Sequence, residues 1–165
     1  MPSYMVKPAN RILSGPVEAQ GKIIEGKVGA NATPAKMVPG RFVEYDAAEG
    51  SFKECGAKSD VCVGIIEVRS GKLLADTHAV GDPVSIIPRN SEAQVVVTLV
   101  SGGAAVTVGD PLVTAADGKA AKQAVGAMGA QGSVVAHALT NGDPAAADVT
   151  ILAALSSSAE PAAAA

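Results

Sequence analysis

The chain repeats the motif Gly-Asp-Pro three times, and the three aspartates of this repeated phrase are the first candidates for a chemical role. They are Asp82, Asp110 and Asp143. Three carboxylates brought together could bind calcium or act as acid–base groups. The repeated context favours another role, because glycine accepts a positive φ, proline fixes its own φ, and an aspartate carboxylate bonds nearby backbone N–H groups. The phrase therefore predicts turns, with each aspartate satisfying local N–H groups.

The first two copies of the phrase run directly into apolar, β-branched segments, so that a turn and a strand repeat as one unit. The turn-forming residues are Gly81, Asp82, Pro83, Gly109, Asp110 and Pro111. Proline disfavours a helix at the residue before it, which makes a strand the expected continuation. This repetition is typical of a structural protein built from short strands.

The other reactive side chains are few: two histidines, His78 and His137, and two cysteines, Cys55 and Cys62. A zinc site needs three or four converging ligands, and neither histidine has a partner at ligand spacing. One disulfide is an alternative for the cysteines, but two partly buried free thiols are favoured for a reducing compartment. With no nucleophile motif nearby, we expect no catalytic residue, no metal, no cofactor and no enzyme activity.

Two glycine-containing segments resemble phosphate-binding loops only in part. The segment from Gly21 to Lys27 begins like such a loop, but Val28 stands where a serine or threonine would hold magnesium. Residues 126–132 could offer backbone N–H groups to an anion, but no helix signal follows them. We interpret the first segment as a strand and the second as a hairpin loop.

Composition predicts an aliphatic core and excludes several classes of partner. The chain has 165 residues, no tryptophan and a net charge of -3 without any block of like charges. Neither nucleic acid nor an anionic membrane is therefore an expected partner. No segment approaches the roughly 20 apolar residues of a membrane span, and the amino terminus lacks the apolar core of a signal peptide. A core of Val, Ile, Leu and Ala suits a compact barrel or sandwich.

Alternation of apolar and polar residues predicts strands along most of the chain. Residues 41–45 and 51–55 form one expected hairpin, and residues 111–115 and 119–124 form another. Residues 61–68 contain few polar residues, so this strand is expected to be buried on both faces. Residues 72–80 could be a strand or a helical turn. Further strands are expected at 21–28, 83–87, 93–100, 133–139 and 149–155.

A weak internal duplication is visible between residues 40–50 and residues 109–118. Each segment reads Gly, two variable residues and an aliphatic residue, and later Ala-Ala, an acidic residue and Gly. Two packed copies of one β unit would give an all-β fold of about ten strands. The short turns favour a compact antiparallel β-barrel or sandwich.

Three regions follow from composition: an extended arm at residues 1–20, a β-barrel domain at residues 21–155 and a disordered Ser/Ala tail at residues 156–165. The arm contains prolines, yet it is too apolar to be merely solvated. Its candidate binding residues are Tyr4, Met5, Val6, Ile12 and Leu13. We expect them to lie along a partner protein.

Charge is spread unevenly, since most charged residues precede position 92. The second half of the chain is dominated by Ala, Val, Gly and Thr, and a surface so poor in charge is expected to be covered. This predicts a symmetric homo-oligomer.

The repeated pattern is similar to that of the head decoration, or capsid cement, proteins of tailed viruses. The similarity covers roughly residues 21–155 and is carried by Pro39-Gly40-Arg41-Phe42-Val43, Val63-Gly64-Ile65, the two Val-Gly-Asp-Pro turns and residues 132–139. It implies a β-tulip-like domain, a homotrimer, a place on the outer capsid surface of the virion and the major capsid protein as partner. Such proteins clamp neighbouring capsid subunits and have no active site.

Two alternatives remain open at this stage. The chain could be another virion accessory protein, a component of a tail or spike. It could also be a small ligand-binding β-barrel, which would require a pocket with convergent polar groups.

Overall fold

The protein, seen in a computed structural model that describes residues 13–14, 23–67, 75–124 and 132–156, is built of short strands. The strands are β1 (Leu13–Ser14), β2 (Ile24–Val28), β3 (Phe42–Tyr45), β4 (Ser51–Glu54), β5 (Cys62–Ile66), β6 (Pro83–Pro88), β7 (Gln94–Leu99), β8 (Pro111–Thr114), β9 (Ala120–Lys122), β10 (Ala136–Ala138) and β11 (Val149–Leu155). Three-residue 3-10 helices lie at Pro34–Lys36, Arg89–Ser91 and Ala116–Gly118. None of the helices in these ranges has the length and apolar character needed to cross a membrane.

The first barrel is closed by five strands in the order β2-β4-β3-β5-β6, with β6 returning to β2. The pairings are antiparallel except between β2 and β4, which run parallel with Lys27 opposite Ser51. The β3–β4 hairpin turns at Gly50, whose φ of 67° is one that glycine adopts without steric cost. Residues 41–55 thus form the predicted hairpin.

The second barrel is also closed by five strands, in the order β7-β9-β8-β10-β11. Its single parallel pairing joins β7 to β9, with Leu99 opposite Ala120, and the other pairings are antiparallel. The predicted all-β barrel fold is therefore confirmed, and its ten barrel strands divide into two closed units of five. Closure reduces the open sheet edge that would otherwise promote aggregation.

The two barrels are copies of one topological unit, because β2 to β6 and β7 to β11 pair in the same order. Gly40 and Gly109 occupy equivalent places before β3 and β8, with φ of 82° and 90°. Their N–H groups donate to equivalent carbonyls, at Ile66 in one barrel and Ala138 in the other, at 3.0 and 2.8 Å. The duplication predicted from residues 40–50 and 109–118 is therefore present in the fold.

Three strands of the first barrel, β3, β5 and β6, are buried on both faces. Val43, Ile66 and Ile86 point into the first barrel together with Phe52. Their neighbours Phe42, Ile65 and Ile87 point outward and join the core of the second barrel, where Val95, Val97, Leu99 and Leu112 are fully buried. Burial of each large side chain contributes about 1.5–3 kcal/mol, so the barrels stabilise one another. The predicted two-faced burial of the strand at residues 61–68 is confirmed for β5.

Hydrogen bonds reinforce this junction. The loop between β4 and β5 reaches the second barrel, where the Lys58 N–H donates to the Thr114 carbonyl at 2.7 Å. In return the Gly118 N–H donates to the Cys55 carbonyl at 2.9 Å. Arg89 donates to the carbonyls of Val134 and Ser156, both at 3.2 Å. Bonds from several elements hold the barrels in one arrangement.

Residues 75–80, predicted as part of a strand or helical turn, form neither, while residues 72–74 lie outside the described ranges. This segment is held by a tertiary contact at His78, whose backbone N–H donates to the Met37 carbonyl at 3.0 Å and whose Nδ1 lies 2.9 Å from the same oxygen. β10 is also shorter than the predicted strand at residues 133–139.

The arm and the tail lie mostly outside the described ranges. Of residues 1–20 only β1 is described, and it pairs antiparallel with β7, placing Leu13 opposite Val95 and Ser14 opposite Gln94. At the other end Ser156 belongs to the fold, because it is buried and its N–H donates to the Val135 carbonyl at 2.9 Å. Residues 157–165 lie outside the described ranges, so the disordered Ser/Ala tail stays a prediction.

Candidate attachment surface and the predicted chemical residues

The first two Gly-Asp-Pro aspartates stabilise identical turns. Asp82 Oδ2 accepts the Ala79 N–H at 2.9 Å, and Asp110 Oδ2 accepts the Thr107 N–H at 2.7 Å. Each aspartate N–H also donates back to the carbonyl of that same partner, at 3.0 and 3.1 Å. The intervening glycine, Gly81 in the first turn, has a φ near 90°. The prediction that these aspartates serve turns is confirmed.

Asp110 carries an additional interaction, an ion pair with Lys122 at 2.7 Å. Partial desolvation raises the pKa of the Asp110 carboxyl, but the Lys122 ammonium and the two Thr107 donors outweigh it. The pKa therefore lies below its ordinary value. The carboxylate is stabilised as an anion by its turn and is unsuited to act as a general acid near neutral pH.

The third copy of the phrase makes a different turn. Asp143 Oδ1 accepts the Ala145 N–H at 3.1 Å, while Asn141 Oδ1 accepts the Val108 N–H at 3.0 Å. The third loop is thereby tied to the second one. In the described ranges there is no group of three or more His, Cys, Asp or Glu side chains able to hold a metal ion.

The two histidines lie in different environments. His78 is buried, with 2% of its surface exposed, and its ring contacts the Met37 carbonyl. His137 lies on β10, half-buried and pointing away from the barrel interior. His78 is thus a core histidine with a hydrogen-bond partner for its ring.

Cys55 and Cys62 are both free thiols buried in the shared core. The Cys62 thiol donates weakly to the Gly64 carbonyl at 3.8 Å. A hydrogen bond with Cys62 and burial together raise the pKa of the Cys55 thiol well above its usual range. Because the thiolate is the nucleophilic form, the protonated Cys55 thiol is a poor nucleophile at physiological pH.

The described part of the segment that resembles a phosphate-binding loop is strand, as predicted. Lys27 lies on β2 and faces solvent. A Cβ at Gly26 would meet the Phe52 ring and lie 2.6 Å from the Gly50 carbonyl oxygen. Glycine is required there for packing, not for binding phosphate. Of residues 126–132, only Gly132 is described.

An open groove of about 500 Å³ lies beside the junction of the barrels. Its exposed apolar residues are Tyr45 and Val61. Two of its polar side chains are engaged within the protein, since Asp60 accepts the Ser133 hydroxyl at 3.0 Å and Arg89 donates to two carbonyls. This engagement disfavours a small-molecule site that would depend on Asp60 or Arg89.

Other exposed apolar side chains lie on turns and on one barrel face. Val80 and Val108 stand at the tips of the two matching turns, with 51% and 63% of their surfaces exposed. Leu152 on β11 is 41% exposed. Such residues are candidates for contact with a protein partner.

The predicted attachment residues of the arm fall outside what can be described, with one exception. Tyr4, Met5, Val6 and Ile12 lie outside the described ranges. Leu13 lies in β1, where its backbone pairs with Val95 at the edge of β7. Their role in attachment stays a prediction.

The sequence matches no protein-family model and no curated protein. Among solved structures, the chain is similar to the crystal structure of the head fiber gp8.5 N base in bacteriophage phi29. The TM-score is 0.50 and the sequence identity 16%, over 81% of this chain and 94% of that one. At this identity the similarity establishes a shared all-β fold.

Proposed function

We propose that this chain is a structural protein of a tailed-phage virion that binds the outer surface of the assembled capsid and clamps neighbouring major capsid subunits. The observation that carries the proposal is the two-barrel fold, which spans nearly the whole of a phage head-fiber base. The resemblance of the turn and strand motifs to capsid decoration proteins points the same way. Both lines of support concern proteins of the phage head.

The architecture is suited to a clamp. Two barrels share one core and are joined by hydrogen bonds from several elements, so the body resists deformation. A protein that binds only across assembled subunits favours the assembled shell by mass action. A rigid body transmits that binding free energy to the subunits that it bridges.

The arm supplies a mode of attachment. At Leu13 and Ser14 the arm is already extended and pairs with the edge of β7. An extended segment can add a strand to the sheet of another protein, with main-chain hydrogen bonds giving affinity and side-chain pockets giving specificity. Residues 1–12 then provide Tyr4, Met5, Val6 and Ile12 to a capsid element.

The proposed form on the capsid is a homotrimer. Closed cyclic symmetry is the usual arrangement of identical subunits, and the low content of charged residues in the second half of the chain is suited to it. Because the described reactive side chains serve turns or the core, the proposed role includes no catalytic step.

Binding to isolated virion parts tests the proposal. Purified full-length protein would be sedimented with expanded capsids that lack it, and separately with purified tails. Saturable binding to capsids alone is expected. Binding to tails alone would instead favour the accessory-protein alternative.

A second candidate is the base of a longer head appendage, and the fiber-base neighbour favours it specifically. Such a base would bind the capsid in the same way while carrying a distal segment. Cryo-electron microscopy of decorated capsids would distinguish the two roles. Density that extends outward beyond the two barrels would support the appendage base, and a low-profile cap would support the clamp.

A further inference from the structure

We infer that copies of this chain associate through two different surfaces, with the mouth of the first barrel of one copy receiving the flank of the second barrel of the next copy. The mouth is the open groove beside the barrel junction, and the residues used here are Ile24, Tyr45 and Val61. The flank of the second barrel is the outward row of Pro111, His137 and Ala154. The inference rests on the homo-oligomer within the proposed function and names the surfaces that form it.

Strand registers locate the equivalent of the mouth in the second barrel. Tyr45, the last residue of β3, pairs with Phe52, which is the β4 residue opposite the end of β2. Thr114, the last residue of β8, pairs with Ala120, which is the β9 residue opposite the end of β7. Thr114 is therefore the equivalent of Tyr45.

The other mouth residues have equivalents at the same end of the second barrel. The pairing of β2 with β6 and of β7 with β11 matches Ile24 with Val95. The pairing of β5 with β3 and of β10 with β8 sets a common register, and counting back along it matches Val61 with Ser133. The mouth of the second barrel is thus formed by Val95, Thr114 and Ser133.

The first barrel covers this second mouth. From the loop between β4 and β5, the Lys58 and Ser59 N–H groups donate to the carbonyl and hydroxyl oxygens of Thr114, both at 2.7 Å. The Ser133 hydroxyl donates to Asp60 of the same loop at 3.0 Å. Thr114 is buried. The chain itself therefore shows what packs on the mouth of this unit, which is a neighbouring barrel.

Beside this loop the first barrel presents a flank with one outward residue from each of three neighbouring strands, Phe42, Ile65 and Ile87. This flank is fully buried in the core of the second barrel. The same register gives the second barrel an equivalent flank, made of Pro111, His137 and Ala154. These three residues are half-buried. Within the chain, the flank of the first barrel thus meets the mouth of the second.

The two remaining surfaces are the matching halves of that same contact. In the mouth of the first barrel, Tyr45 and Val61 are 59% and 67% exposed, so their burial would be favourable. They are also larger than their equivalents in the second barrel, whereas Pro111 and Ala154 are smaller than theirs on the first. Large side chains in one surface and small ones in the other conserve the total volume that close packing requires. A second copy is therefore the fitting occupant of the mouth.

A contact between two different surfaces of identical subunits is heterologous, and it forms a closed ring when the rotation between subunits closes. Each copy in such a ring uses its mouth once and its flank once. This geometry is compatible with the homotrimer of the proposed function. It places Tyr45 and Val61 at every subunit boundary.

Sedimentation velocity over a range of concentrations tests the inference on the full chain. The wild type should associate, and Val61→Lys should raise the dissociation constant by about 100-fold or more, because it would place an unpaired ammonium in an apolar contact. Val80→Lys is the matched control and should associate like the wild type. Val80 is an exposed valine of the same barrel, and its turn bonds to Val28, at the opposite end of β2 from Ile24.

Mixing two variants tests whether the mouth and the flank are partners. Ala154→Lys alters the flank and keeps the mouth, whereas Val61→Lys does the reverse. Each variant alone should be monomeric, and an equimolar mixture should re-form a two-subunit complex through its one intact pair of surfaces. Circular dichroism would verify folding. If Ala154→Lys does not fold, the comparison of Val61→Lys with Val80→Lys carries the test.

The outcomes separate the inference from the capsid role. A wild type that stays monomeric at every concentration would overturn self-association, and a folded Val61→Lys that associates like the wild type would overturn the mouth as its surface. A mixture that stays monomeric would overturn the pairing of mouth with flank. Capsid sedimentation of Val61→Lys reports separately on the proposed clamp, because a monomer that still binds capsids would leave that role intact.

Discussion

Asp82 and Asp110 each accept a hydrogen bond from the backbone N–H three residues earlier in the chain, at 2.9 and 2.7 Å. Their role was predictable, because the donor, the glycine and the proline all lie within one short phrase. The contact between His78 and Met37 was not predictable, since the two residues are 41 positions apart. Local chemistry can be inferred from neighbours in sequence, whereas a partner chosen by tertiary packing leaves no local signal.

The two kinds of glycine in this fold should respond differently to alanine. At Gly81 nothing lies within 4 Å of an added Cβ, so Gly81→Ala should cost only the strain of a φ of 88°, about 1–2 kcal/mol. Gly26→Ala should cost more, about 3 kcal/mol, because its Cβ would collide with the Phe52 ring and the Gly50 carbonyl. Urea unfolding of both variants measures this order. Equal losses would contradict the packing role assigned to Gly26.

Asp110 should make stability depend on pH. Because its pKa is depressed in the folded protein, its stabilising contribution is fully present above the unfolded-state value of about 3.9 and is lost as pH falls through the folded-state pKa. The difference in unfolding free energy between wild type and Asp110→Asn should therefore shrink as pH is lowered from 6 to 3. Denaturant titrations at several pH values measure it. A difference that grows on acidification would be inconsistent with the Lys122 ion pair.

At the scale of elements, most strands follow from period-two alternation and from the turn residues that bound them. β3 with β4 and β8 with β9 form the two predicted hairpins, because each hairpin needs only nearby residues. Division into two barrels was not predicted. Closure depends on the parallel pairings of β2 with β4 and of β7 with β9, and such nonlocal registers have no signature in either strand alone.

Phe42 and Phe52 allow the junction between the barrels to be tested against the interior of one barrel. Both side chains are fully buried, but Phe42 lies in the shared core and Phe52 inside the first barrel. Truncation of either to alanine should cost about 3–5 kcal/mol. Only Phe42→Ala is expected to uncouple the barrels and lower the denaturant dependence of unfolding. If both variants unfold in one transition with the wild-type slope, the barrels remain one cooperative unit without Phe42.

At the scale of the whole molecule, the arm should contribute attachment and the barrels stability. Deletion of residues 2–16 removes the candidate binding residues and β1 together, whereas deletion of residues 2–12 retains Leu13 and Ser14 on β7. Both deletions should leave thermal unfolding nearly unchanged and weaken capsid binding at least tenfold, because they remove apolar contacts to the partner. Titration of capsids with each protein measures the effect. If both deletion variants bind capsids with wild-type affinity, the barrels and not the arm provide the attachment.

The claim that this protein clamps an assembled capsid is tested most directly by capsid stability as a function of bound protein. Capsids lacking the protein would be titrated with it, and the temperature of DNA release would be followed alongside occupancy. The account predicts that the release temperature rises with occupancy and saturates with it, because binding favours the assembled shell. Full occupancy with an unchanged release temperature would contradict the clamp, and so would failure of the protein to bind capsids at all.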